Sequence, residues 1–130
     1  LQRLGGSHVV SFHGSDGLDE ITTAGPSTVW ELKDGSINEY QFDPSEIGIP
    51  RARAADIKGG TAAENAKIAI DVLSGAESLA RDIVVVNAAA ALVAAGTAPD
   101  FKGGAERAGE SIDSGKAQRA LDGLIEVSNR

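Results

Sequence analysis

Residues 79–95 read as one helix that is apolar on nearly every side. Such a helix leaves no stripe for water, so other elements must surround it. The rest of the chain supplies that cover in two different periods. Up to Phe42 the apolar residues fall in short β-type runs, and from Thr61 they fall at helical spacing. A sheet portion followed by helices implies α/β layering.

His8–Phe12 reads as a short buried strand. Ser27–Lys33 and Ser36–Phe42 flank Asp34-Gly35, a strong hairpin signal. Pro44 ends the third run, and residues 43–56 read as an irregular connection. Thr61 with Glu64 forms a capping-box pattern. It opens a helix with Ala62, Ala66, Ala69 and Leu73 on one face, closed by Gly75. Gly96 ends the central helix. Asp100 caps a third helix running to about Asp113, and Ser114 caps a fourth with Ala117, Leu121, Leu124 and Val127 inward. Leu1 and Leu4 before Gly5-Gly6 read as the last turn of a helix closed by glycine. Methionine is absent, so the expectation is a sequence that begins inside a longer protein.

With 16 glycines and only five aromatic residues, the side chains bury little area each, which implies part of a larger core. The net charge of −7 argues against nucleic acid, which calls for a basic stripe, and against an anionic membrane surface. It leaves room for a phosphate substrate, because a bound metal inverts the local field. The absence of cysteine rules out disulfide staples and suits a cytoplasmic protein. The longest apolar run, Ile83–Ala95, is interrupted by Asn87 and is too short to span a bilayer.

The chemistry concentrates in Asp16-Gly17-Leu18-Asp19-Glu20-Ile21, three carboxylates in five positions after a β-type run. Gly25-Pro26 keeps this segment from becoming a helix. An acidic loop at the C-terminal end of a strand lies where open α/β sheets bind ligands. Carboxylates this close repel unless a cation or water screens them. Mg²⁺ typically takes one or two carboxylates and leaves its other positions to water and phosphates. A solvated acidic turn is the alternative reading.

Other polar residues read as structural. Asp16 beside Gly17 suits an Asx turn that shapes the loop. His8 and His13 point to opposite faces of a strand and do not share an ion, and His13 is expected to make a structural hydrogen bond. Lys58-Gly59-Gly60-Thr61 leads into a helix N-terminus, which can bind an anion, although glycine pairs also serve close packing. Arg81-Asp82 reads as an ion pair at a helix start, and Asn87 as a partner for a buried backbone group. No cysteine nucleophile and no Ser-His-Asp set with a nucleophile turn is present.

Four ordered blocks resemble the anthranilate phosphoribosyltransferase family. They are His13–Thr22 followed by Gly25-Pro26-Ser27-Thr28-Val29, then Asp56-Ile57-Lys58-Gly59-Gly60 with Glu64-Asn65-Ala66, then Arg81–Leu92, and finally Ser114-Gly115-Lys116-Ala117. The resemblance covers nearly the whole chain. It implies the C-terminal portion of an α/β catalytic domain, with a mixed sheet flanked by helices. An upstream helical domain and a glycine-rich diphosphate loop are then missing from these residues. It also implies that Asp19 and Glu20 hold Mg²⁺ beside the diphosphate of 5-phosphoribosyl 1-diphosphate, with anthranilate as the acceptor in tryptophan biosynthesis. The full-length protein is then a cytoplasmic homodimer, and this segment alone is inactive and supplies no acid–base residue. The rival readings are a pyrimidine nucleoside phosphorylase, a non-catalytic nucleic-acid-binding relative and an inactive structural domain.

Overall fold

A computed structural model describes all 130 residues, Leu1–Arg130. Three strands come first: β1 (His8–Gly14), β2 (Ser27–Lys33) and β3 (Ser36–Phe42). Four helices follow: α1 (Ala62–Leu73), α2 (Leu79–Ala94), α3 (Phe101–Asp113) and α4 (Lys116–Ser128). This is the expected order of a β-rich first third and then helices. Strand β1 runs two residues past the expected Phe12.

The strands form an antiparallel meander in the order β1-β2-β3. Its register pairs Phe12 with Val29 and Val29 with Tyr40. Asp34 (φ 50°) and Gly35 (φ 78°) both lie in the left-handed region, as the two-residue turn between right-twisted strands requires. Alternation sends Val10, Phe12, Val29, Tyr40 and Phe42 to the side where the helices pack. On the opposite face Leu32 shelters in a shallow groove with Val9, Trp30, Ile37 and Leu1.

The core lies between the sheet and α2, where Ile21, Val29 and Phe42 meet Val86, Ala89, Ala90 and Val93. Ala98 and Phe101 close it, and the Phe42 and Phe101 rings stack with centroids 4.4 Å apart. The central position expected for residues 79–95 is therefore found. Helix α3 approaches α2 very closely, because Gly104 sits directly against Ala89. A Cβ on Gly104 would come within 2.8 Å of the Ala89 carbonyl oxygen.

The expected Arg81–Asp82 pair is not formed. Arg81 instead donates to Asp113 at the end of α3, at 2.7 and 3.0 Å, and so ties the start of one helix to the end of the next. Sequence neighbours on a helix point in different directions, which leaves Arg81 free to reach across. The Asp113 carboxyl is held below its usual range by this guanidinium. Asp82 is partly buried without an ion-pair partner, and desolvation pushes its carboxyl up, with Glu77 adding to the effect and Arg81 opposing it.

Other differences concern the ends of the helical part. Gly115, not Ser114, stands at the N-cap of α4, with φ 70° and no side-chain cap. Leu124 (65% exposed) and Val127 (64%) face solvent, not inward. Ala62, Ala66 and Ala69 of α1 are also exposed, and Val72 is the buried residue of that helix. Both helices are amphipathic, but much of their apolar faces, including Ile70, Leu124 and Ile125, is left uncovered within these 130 residues. The irregular connection contains two short 3-10 turns, Pro44–Ile47 and Ala54–Ile57. No helix is long and apolar enough to cross a membrane.

The capping box on α1 forms as the sequence indicates. The Glu64 N–H donates to Thr61 Oγ1 at 3.4 Å, and the Thr61 N–H donates to Glu64 Oε2 at 2.7 Å. Thr61→Ala is therefore expected to cost about 0.5–2 kcal/mol in chemical denaturation. Affinity for a phosphate-bearing ligand should stay within a few-fold, since the turn serves the helix. A large loss of that affinity at unchanged stability would show that the turn binds an anion.

Candidate functional site

The acidic loop begins where β1 ends. Gly14 is buried there because the loop doubles back over it. A Cβ at this position would lie 2.6 Å from Asp16 Oδ1 and 3.2 Å from the Glu20 carbonyl oxygen. The Gly14 N–H donates to the Leu18 carbonyl at 2.9 Å, and the Ser15 N–H to that of Pro26 at 3.0 Å. Asp16 shapes the turn as expected. Its Oδ1 accepts from the Leu18 N–H at 3.3 Å and its Oδ2 from the Thr22 hydroxyl at 2.7 Å.

The loop is anchored on the far side too. Ile21, Thr22 and Thr23 are buried at 0%, 0% and 2% exposure. The Thr22 N–H donates to Ser27 Oγ at 3.1 Å. Ile21 meets Asn87, whose Oδ1 accepts the Ile21 N–H and whose Nδ2 donates to the Ile21 carbonyl, both at 2.9 Å. The buried backbone group expected for Asn87 is thus Ile21, the residue after Glu20.

Asp19 and Glu20 themselves are exposed. Neither has a hydrogen-bond or ion-pair partner within the chain. No set of three or more His, Asp or Glu side chains gathers to hold a metal. The chain therefore offers two free carboxylates on a well-held loop. That donor set fits Mg²⁺, a hard cation that takes one or two carboxylates and completes its shell with water and phosphate oxygens. Glu20 also borders a groove of about 630 Å³ with Lys58, Asn65, Ile68, Val72 and Ile83.

The other candidates are structural or have no partner. At the start of α1 the Gly60 N–H is taken by Asn65 Oδ1 (2.8 Å) and the Thr61 N–H by Glu64 (2.7 Å). Two of the donors at this turn are thus already engaged within the chain, which favours the close-packing reading of Gly59-Gly60. His8 Nε2 lies 2.9 Å from Glu31 Oε1, and Glu31 also accepts from the Tyr40 hydroxyl at 3.2 Å. Burial first, and then Glu31, push the Tyr40 hydroxyl up to about 12. His13 is exposed and its side chain makes no hydrogen bond, contrary to expectation.

Residues 1–118 match the glycosyl transferase family, a/b domain, and the chain belongs to that family. It is 50% identical over 129 residues to an anthranilate phosphoribosyltransferase of Azospirillum brasilense, a match that covers 99% of this chain and 36% of that protein. Among solved structures it is similar to the anthranilate phosphoribosyltransferase of Saccharomyces cerevisiae in complex with 4-fluoroanthranilate, with a TM-score of 0.87, 30% identity, 97% of this chain covered and 37% of that one. It also matches the same yeast enzyme in complex with PRPP and Mg, with a TM-score of 0.85, 29% identity, 95% of this chain covered and 36% of that one. The family resemblance drawn from the four sequence blocks is borne out. The chain spans a little over a third of the length of these relatives.

Proposed function

We propose that this chain is the segment of an anthranilate phosphoribosyltransferase that carries its metal-holding loop. The full protein transfers the phosphoribosyl group of 5-phosphoribosyl 1-diphosphate to the amine of anthranilate and releases diphosphate, a step of tryptophan biosynthesis. Residues 1–130 are the C-terminal portion of its α/β catalytic domain. A helical domain that forms a cytoplasmic homodimer and a glycine-rich diphosphate loop belong to the rest.

In this reading Asp19 and Glu20 hold Mg²⁺. When bound there, the ion would supply positive charge to the departing diphosphate. The chain's own contribution is to present two exposed carboxylates, consecutive in sequence, on an anchored loop. Its buried anchor, Ile21-Thr22-Thr23, keeps that loop in place. The segment offers no general acid or base to the amine and no basic pocket for the anthranilate carboxylate. Those contacts, and most of those to diphosphate, fall to the rest of the protein.

The observation that carries this reading is an unpartnered Asp19–Glu20 pair on a loop anchored at both ends, in a chain 50% identical to such an enzyme. The test is anthranilate consumption by the purified full-length protein with 5-phosphoribosyl 1-diphosphate, with and without Mg²⁺. Magnesium-dependent loss of anthranilate fluorescence is expected. Phosphorolysis of a pyrimidine nucleoside in its place, with anthranilate untouched, would overturn the assignment.

A further inference from the structure

Asn87 stands in the middle of α2, the helix that packs against the sheet. Its neighbours Val86, Ala89 and Ala90 are 0%, 0% and 2% exposed. Its side-chain amide spends both protons and one lone pair on backbone groups. Oδ1 accepts the Ile21 N–H at 2.9 Å, while Nδ2 donates to the carbonyls of Ile21 and Ile83, each at 2.9 Å. This pattern needs an acceptor and two donors on one short planar group. Aspartate lacks the donors, and serine lacks the reach and the second proton.

The position of the clamp gives it a consequence beyond satisfying a buried peptide. Ile21 directly follows Glu20. At the other end of the acidic pair, Leu18 is held through both its N–H, by Asp16 at 3.3 Å, and its carbonyl, by the Gly14 N–H at 2.9 Å. Only Asp19 and Glu20 lie between these two fixed points. Two like charges on a free loop would move apart, and an ion binding them would have to order the backbone as well.

We propose that Asn87 is a positioning residue for the acidic pair. It fixes the chain on leaving Glu20 to the central helix, so that Asp19 and Glu20 are pre-set for a divalent cation before it arrives. This rests on the reading of that pair as the metal-holding residues. Asn87 touches neither the ion nor the substrates and acts through Ile21.

The experiment is a Mn²⁺ titration of the full-length protein, followed by the electron paramagnetic resonance signal of free Mn²⁺. It compares wild type, Asn87→Ala and the double variant Asp19→Asn with Glu20→Gln, together with the KM for anthranilate. The double variant should lose the Mn²⁺ site. Asn87→Ala should bind Mn²⁺ about tenfold or more weakly, the scale on which partners of metal ligands act, with the anthranilate KM unchanged. Wild-type affinity in folded Asn87→Ala, with the site lost in the double variant, overturns the positioning role and leaves the metal assignment standing. Unchanged affinity in the double variant removes the metal assignment and the positioning role with it. Should Asn87→Ala fail to fold, amide hydrogen exchange of the wild type decides. Protection of Ile21 and Thr22 that is already present without Mg²⁺ supports the proposal, and protection that appears only with Mg²⁺ overturns it.

Discussion

On the proposed reading of the acidic pair, replacing Asp19 by Asn and Glu20 by Gln in the full-length protein is expected to lower magnesium-supported phosphoribosyl transfer by about 100- to 1,000-fold, the range seen when a group that stabilises developing charge is removed. The substitutions keep the shape of both side chains and remove only their charge. In the structure neither carboxylate bonds to anything within the chain, so the fold has nothing to lose at these positions. Surface changes of this kind stay within about 0.5 kcal/mol. The stability curve should therefore overlay that of the wild type, and two neighbouring charges that repel each other will have been removed. Steady-state rates over a magnesium titration, with denaturation curves on the same samples, check both halves. Full activity across the titration would falsify the role given to the pair.

The second large effect is expected at Gly104. Its missing Cβ would lie 2.8 Å from the Ala89 carbonyl oxygen and 2.9 Å from the Ala89 Cα and Cβ. These are backbone atoms and a first side-chain carbon of a buried helix, and none of them can swing aside. Any side chain at 104 must push α3 off α2, and with it Phe101 off Phe42. Gly123 in α4 is the natural control, since nothing lies within 4 Å of the Cβ position there. Gly123→Ala should stabilise by about 0.5–1 kcal/mol, because alanine loses less backbone freedom in a helix. Gly104→Ala should fall below that reference by about 1–3 kcal/mol, the usual cost of overpacking. Gly104→Leu should prevent folded protein from accumulating. The pair is checked by urea unfolding, and equal shifts at 104 and 123 would show that α2 and α3 are not in close contact.

The contrast between these two glycines marks what the sequence could and could not convey. Features decided within a few residues were legible. The Asp34-Gly35 turn needs only two positive φ angles, the α1 cap needs only Thr61 and Glu64, and the apolar girth of residues 79–95 placed that helix at the centre. Asp16 could be read as a loop former because its partner Leu18 is two residues away. Features decided by distant partners were not. Nothing near Arg81 announces Asp113, 32 residues on, and the adjacent Asp82 was the more obvious partner. Asn87 could be assigned to a buried peptide but not to Ile21, 66 residues earlier. The inward placement of Leu124 and Val127 in α4 failed for a different reason. Periodicity shows which side of a helix is apolar, and it says nothing about whether a neighbour is there to cover it.

The long reach from Asn87 to Ile21 also bears on the order in which the segment assembles. The hairpin of β2 and β3 closes across a two-residue turn, on a timescale of about microseconds. The α2–α3 pair joins helices adjacent in sequence. Both can form early, because little chain entropy is lost in closing short loops. The Asn87–Ile21 bonds cannot form until sheet and central helix have met. The acidic tip is therefore set among the last steps, and a cation that needs Asp19 and Glu20 placed as they are would bind only the completed topology.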